Sequence, residues 1–172
     1  VVLVAAAFVL ADAARQPAAP PDPAAAFTVR EAMVPMRDGV KLFTTIYTPK
    51  DRRGLLPIVF RRTPYGIDGA AGSFVRYYKA LADEGYIFVF QDVRGRWLSK
   101  GELVKMRPHV PVKRTPRDVD ESSDTFDTIA WLIKNIPHNN GRVGQWGVSY
   151  PGLYPSCGMI DAHPALKASS PQ

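Results

Sequence analysis

From residue 27 onward, apolar and polar positions alternate along two short stretches, Thr28 to Met36 and Val40 to Thr48, both rich in β-branched residues. Between them lies Arg37-Asp38-Gly39, whose Asp-Gly pair supplies the backbone a tight hairpin needs, so the folded part opens with two antiparallel strands. Leu55 to Arg61 and Tyr86 to Val93 are instead compact apolar runs, the pattern of strands covered on both faces. Between these runs, Phe74 to Glu84 carries Val75, Tyr78 and Leu81 at helical spacing and stops at Gly85, which predicts one connecting helix.

Thr115-Pro116-Arg117-Asp118 has the form of a helix start, with a capping Thr, Pro at the first helical position and an acid three residues after the cap. The helix is expected to run to about Ile136, with Val119, Phe126, Ile129, Ile133 and Ile136 on its apolar face. Asp120, Glu121 and Asp124 lie early and mostly off that face, and are read as solvated acids favouring the positive helix end. Pro137 to Gly141 breaks the chain, and Arg142 to Val148 is the next expected strand, running straight into Ser149. A further strand is expected after His163-Pro164. Strands alternating with helices after an opening hairpin predict an α/β fold with a mixed, mostly parallel sheet. In such sheets chemistry sits at the carboxyl ends of the strands.

Composition narrows the functional classes. The 172 residues are 46% hydrophobic and 22% charged, which fits a globular rather than a disordered chain. The net charge of +6 comes as scattered pairs, Arg52-Arg53, Arg61-Arg62 and Lys113-Arg114, with no basic stripe, which argues against nucleic-acid binding. Cys157 is the single cysteine, so no intrachain disulfide or multi-cysteine zinc site is available. No basic neighbour activates its thiol, and it reads as a packed residue. No pair of histidines shares a helical face, so neither metal nor cofactor is expected.

Val1 to Leu10 is an apolar run followed by Ala11-Asp12-Ala13, the core and cleavage site of an export signal. Residues 1–14 are read as such a signal, clipped at its start, with a secreted or periplasmic destination and no stable membrane span, against the alternatives of a membrane-anchored start or a buried helix. Residues 15–26 are nearly all Ala and Pro and are expected to form a semi-extended linker, leaving 27–172 as the folded part.

Gly147-Val148-Ser149-Tyr150-Pro151-Gly152 stands where a strand should turn sharply into a helix, the setting that holds a nucleophilic serine on a strained elbow. Gly147 permits the tight turn, Pro151 fits an early helical position and Gly152 permits close packing. The last glycine comes one place later than in G-x-S-x-G, and the competing reading is an ordinary turn with a capping serine. An elbow would aim the N–H of Tyr150 at a developing oxyanion, and a second donor is then needed. Tyr65, in a Pro-Tyr-Gly turn at a strand end, is the candidate, against the alternative of a packing or surface tyrosine.

These motifs together resemble the family of cocaine esterase, X-Pro dipeptidyl-peptidases and α-amino-acid ester hydrolases, which is related to the glutaryl-cephalosporin acylases. Val34 to Val40 is similar to the family's opening hairpin, Arg62-Thr63-Pro64-Tyr65 to its oxyanion-tyrosine segment and Phe90 to Gly95 to its strand-end signature. Asn140 to Gly144 then leads into the G-x-S-Y-x-G elbow, whose displaced glycine is the family's own variant. Met106-Arg107-Pro108 and Asp124 to Asn135 look closest to the α-amino-acid ester hydrolases, which act on esters and β-lactam amides bearing a free α-amine.

The resemblance implies a partial α/β-hydrolase fold with Ser149 as nucleophile and the Tyr65 hydroxyl and Tyr150 N–H as oxyanion donors. It implies a small ester, amide or short peptide as substrate, and a triad acid and histidine that follow a helical cap domain past residue 172. The amine-binding acids of the α-amino-acid ester hydrolases would also lie there. His109, His138 and His163 read as loop residues. Asp92 and Arg94 stand near a strand end, either shaping the site or pairing to fix the loop toward Trp97. An X-Pro dipeptidyl-peptidase, a plain carboxylesterase and a non-catalytic binding protein of the same fold are the rival readings.

Overall fold

The computed structural model describes residues 23–172. The expected export signal, and the expected linker up to residue 22, lie outside these residues. The last four linker positions, Pro23–Ala26 (α1), form a helical turn rather than an extended segment. Along the chain α1 leads into β1 (Phe27–Pro35), β2 (Lys41–Pro49), β3 (Leu56–Thr63), α2 (Ala70–Tyr77), α3 (Lys79–Asp83) and β4 (Ile87–Asp92). Next come α4 (Glu121–Asn135), β5 (Asn139–Gly147), a 3-10 turn (Tyr150–Gly152), α5 (Leu153–Gly158) and β6 (Leu166–Pro171).

The six strands form one sheet in the order β1-β2-β4-β3-β5-β6. β1 and β2 are the antiparallel hairpin, β2 lies antiparallel to β4, and β4, β3, β5 and β6 run parallel. The sheet is therefore mixed and mostly parallel, as the alternation of elements requires. Its parallel strands are covered on both faces. Ile58, Phe60, Ile87, Val89 and Val143 pack with Ile129, Leu132 and Ile136 of the α4 side. On the other face Phe88, Phe90 and Trp146 pack with Val75, Tyr78 and Leu81 from α2, α3 and the junction between them.

Two expected helices differ from the observed ones. The segment read as one helix over 74–84 is two short helices that begin earlier, at Ala70, and break at Tyr78, where φ is −121°. Tyr78 is turned out of helical geometry to accept a hydrogen bond from Trp146 Nε1 at 2.7 Å. α4 begins at Glu121 rather than near Thr115. Asp120 is its cap: its carboxylate accepts from the Ser123 N–H and the Ser123 hydroxyl accepts from the Asp120 N–H, a reciprocal capping box. Thr115 to Asp118 closes on itself, with Asp118 Oδ2 accepting from the Arg114 and Thr115 amides at 2.8 and 2.7 Å. That local turn uses the same residue types as a helix start but leads nowhere.

The inward face of α4 is polar in its first half and apolar in its second. Glu121, Asp124, Thr125 and Thr128 are buried, followed by Ile129 and Leu132. The sheet beneath is graded the same way: Leu56, Ile58 and Ile87 lie toward the amino ends of β3 and β4, while Arg62, Gln91 and Asp92 lie toward their carboxyl ends. A crossover helix running back against its strands sets polar on polar and apolar on apolar.

Candidate active site

β4, β3 and β5 are parallel neighbours, so their carboxyl ends release Asp92, Tyr65 and Ser149 along a single sheet edge. Ser149 follows β5 with φ 60° and ψ −129°, a backbone shape that costs a non-glycine residue about 1–3 kcal/mol. The surroundings hold it there. The Ser149 N–H donates to the Gln172 carbonyl at 2.8 Å, the Ser149 carbonyl accepts from the Gly152 N–H at 2.8 Å, and the Gln172 N–H donates to the Gly147 carbonyl at 2.9 Å. A Cβ on Gly147 would lie 2.1 Å from the Pro151 carbonyl oxygen, and one on Gly152 would lie 2.7 Å from the Gln172 oxygen. The displaced glycine is thus needed where the strand end of β6 passes against the turn.

Ser149 is exposed, and its side chain makes no capping hydrogen bond to the adjoining 3-10 turn. The capping-serine alternative is therefore not what the structure shows. Tyr150 is the first residue of the 3-10 turn, where a backbone N–H has no partner inside the helix. Tyr65 is 62% exposed, and its ring meets that of Tyr150 edge-on, with centroids 6.2 Å apart and planes at 73°. Serine, amide and phenol thus stand on one side of the molecule. The Tyr150 ring also lies 6.0 Å from that of Tyr154, which is buried under the Arg62 guanidinium. Burial first, and then the Glu121 carboxylate, push the Tyr154 phenol above its ordinary range, so it stays neutral.

Beneath this edge lies a charge cluster that the amphipathic pattern assigns to solvent. Asp120, Glu121 and Asp124 are buried, not solvated. Arg94 binds Asp124 through Nη2 to Oδ1 at 2.7 Å and Nε to Oδ2 at 3.1 Å, and binds Asp38 through Nη1 at 2.6 Å. Arg94 therefore does not form the expected pair with Asp92; it crosses to the hairpin turn and to α4. Arg62 donates to Gln91 Oε1, to the Glu121 carbonyl and to Thr125 Oγ1, each at 3.1 Å, and reaches Asp124 Oδ2 at 3.5 Å. The Glu121 carboxylate lies 2.9 Å from Arg62 Nη1, but off the N–H directions, so Oε2 feels the charge without a hydrogen bond. Two guanidiniums thus face three carboxylates, and burial raises the pKa of Glu121. No feature of the sequence pairs Arg62 and Arg94 with acids 30 to 62 residues away; the only signal is two arginines at strand ends.

Asp92 closes β4 and is buried. Its Oδ2 accepts from the Leu98 N–H at 3.4 Å, while Oδ1 has no hydrogen-bond partner. Desolvation raises its pKa to about 6, held back by the Leu98 and Ile67 amides and by Arg96. It borders a cavity of about 210 Å³ lined also by Gly66, Ile67, Asp68, Trp97 and Leu98.

The histidines lie apart from Ser149. His163 Nδ1 accepts from the Ala165 N–H, and burial lowers its pKa. His109 faces Asp120 and Asp161, and His138 precedes the amino end of β5, a nine-residue strand roughly 30 Å long. Cys157 is half-buried in α5, where burial and the Glu121 charge raise its pKa. Among the described residues no group of acids, histidines and cysteines could hold a metal, and no helix is long and apolar enough to cross a membrane.

A mostly parallel sheet with helices on both faces, opened by an antiparallel hairpin and bearing a strained serine bend at a strand end, is the partial fold of an α/β-hydrolase. The chain belongs to the X-Pro dipeptidyl-peptidase (S15) family, which it matches over residues 38–172. It is 36% identical over 141 residues to the cocaine esterase of Rhodococcus sp. (strain MB1 Bresler), across 81% of this chain and 22% of that protein. Among solved structures it is similar to an α-amino acid ester hydrolase, at 39% identity and TM-score 0.72, over 95% of this chain and 28% of that one. An aminopeptidase from the marine sediment archaeon Thaumarchaeota archaeon is similar at 40% identity and TM-score 0.73, over 85% of this chain and 25% of that one. The chain spans about a quarter of the length of these relatives.

Proposed function

We propose that this chain carries the nucleophile half of a serine hydrolase that cleaves ester or amide bonds through an acyl-enzyme. Ser149 Oγ attacks the substrate carbonyl, the Tyr65 hydroxyl and the Tyr150 N–H stabilise the tetrahedral oxyanion, and water then releases the acyl group. The observation that carries this reading is Ser149 itself: an exposed hydroxyl, uncommitted to capping, on a strained bend at the carboxyl end of a parallel strand. The three histidines of this chain lie apart from Ser149, so none of them is its general base in this reading.

The substrates favoured are esters or amides of acids bearing a free α-amine, in line with the similarity to an α-amino acid ester hydrolase. Cleavage of Xaa-Pro amides is the second reading, favoured by the family match over residues 38–172. A fluorophosphonate probe applied to the natural polypeptide that carries this chain is expected to label Ser149, and Ser149→Ala to abolish both labelling and turnover. Parallel assays on an amino-acid ester, an Xaa-Pro amide and a simple acyl ester rank the substrate classes. A folded protein that resists the probe and keeps its activity as Ser149→Ala would refute the assignment and leave a non-catalytic binding protein of this fold.

A further inference from the structure

The Pro64-Tyr65-Gly66 turn is gripped by the loop at the end of β4. The Pro64 carbonyl accepts two hydrogen bonds from that loop, from Arg96 Nε at 2.9 Å and from Trp97 Nε1 at 3.1 Å, which fills both of its lone pairs. The indole also lies on Gly66, where a Cβ would come within 3.1 Å of the ring. On the other side of the turn the Tyr65 N–H donates to Thr63 Oγ1 at 3.2 Å.

Trp97 is 62% exposed, so its position is not fixed by burial, and its φ of 48° is rare for a bulky residue. Such strain persists only where the surroundings over-determine it. Here the loop is fastened at both ends. Ser99 Oγ donates to the Asp92 carbonyl at 2.6 Å, the Gly95 N–H donates to the Lys100 carbonyl at 3.0 Å, and the Val93 N–H donates to the Thr63 carbonyl at 3.1 Å. The Arg96 guanidinium stands 5.8 Å over the Trp97 ring and keeps the two donors together. Tyr65, equally exposed, is placed by this backbone grip together with the edge-on contact of its ring with that of Tyr150.

We infer that Trp97, assisted by Arg96, is a positioning residue for the Tyr65 hydroxyl, acting through the Pro64 carbonyl without touching the substrate. The inference rests on the hydrolase reading above. The test uses the natural polypeptide carrying this chain and an ester that it turns over. Trp97→Phe keeps a ring over Gly66 and deletes the N–H. It is expected to lower kcat about tenfold with KM changed less than about twofold, since a misplacement of about 1 Å costs up to ~10² in rate. Tyr65→Phe is expected to lower kcat by about 10²–10³. The double variant should then be no slower than Tyr65→Phe alone, because the positioned group is gone.

A double variant slower than Tyr65→Phe by the full Trp97→Phe factor, or a rise in KM at unchanged kcat, would overturn the inference; the latter would make Trp97 a substrate-contacting wall. If Trp97→Phe does not fold, Arg96→Met removes the second donor and must show the same non-additivity with Tyr65→Phe. Full activity of Ser149→Ala and Tyr65→Phe would instead refute the hydrolase reading, so the two failures are separable.

Discussion

Asp124 is where the arginine and carboxylate cluster is most exposed to a single change. Its side chain accepts two hydrogen bonds from Arg94 and lies 3.5 Å from Arg62, with 3% of its surface open to solvent. Asp124→Asn keeps the shape and removes the charge. Breaking a buried pair from one side costs about 3–5 kcal/mol, because the partner's charge is left uncompensated. Three features favour the lower end of that range. Arg94 retains Asp38 at 2.6 Å, Arg62 retains Glu121 at 2.9 Å, and the asparagine oxygen can still accept one hydrogen bond. Removing the Asp124 charge also relieves Glu121, whose pKa it raises, so Glu121 ionises more readily and takes over part of the counter-charge. The expected loss is about 3 kcal/mol, a large share of a typical domain's 5–15 kcal/mol. With a urea slope of about 2 kcal/mol/M, the midpoint should fall by about 1.5 M. Urea titration followed by the fluorescence of Trp97, Trp131 and Trp146 reads this directly. A loss below about 1 kcal/mol, or a double-mutant cycle with Arg94→Met showing no coupling, would mean that solvent screens the cluster and that the energetic argument is wrong.

Asp92 should make stability depend on pH in a defined window. Its pKa is raised from 3.8 to about 6, so the native state holds a proton that the unfolded chain has already released. The contribution is fully present below about pH 4 and is lost as pH rises through about 6, a fall of about 3 kcal/mol. Asp92→Asn should remove that component of the slope, seen as the difference between the two proteins' denaturation midpoints at pH 4 and 7; parallel curves would show that Asp92 is not held neutral. At the bend, Gly147→Ala sets a Cβ 2.1 Å from the Pro151 oxygen and should cost about 1–3 kcal/mol together with probe labelling at Ser149. Gly144→Ala, whose Cβ would meet only Ala168 Cβ at 3.9 Å, is the control, and equal effects of the two would count against the close approach at Gly147.

The hairpin, the buried strands and the serine bend are legible in the sequence because each rests on local chemistry: alternation, an Asp-Gly pair, and glycines around a serine. Where two local signals stand in tandem, sequence does not choose between them. Thr115, the expected start, is answered by Asp118 in a closed local turn, and the cap is Asp120, five residues further on, answered by Ser123. The acids of α4 are misplaced because an amphipathic pattern reads a charge as solvent-facing, whereas Arg62 and Arg94 arrive from strand ends that only the sheet brings beneath the helix. Tyr65 is marked by pattern only as a turn residue at a strand end, where a packing or surface tyrosine fits equally, and it is the resemblance that singles it out as an oxyanion candidate. The grip of Trp97 and Arg96 on Pro64 leaves no trace at all, since its acceptor is a backbone carbonyl that any residue would supply.

The pin between Gln172 and the peptide groups of residues 147 and 149 sets an order of events in a growing polypeptide. Every member of the ionic network has been synthesised once Asp124 is made, and the hairpin and first crossover can settle before the rest of the sheet exists. The Gly152 N–H holds the Ser149 carbonyl from within the bend, but the two bonds to Gln172 can form only once the far end of β6 has arrived. The bend at residue 149 is therefore complete only once β6 lies beside β5, after the strands and helix that form the ionic network.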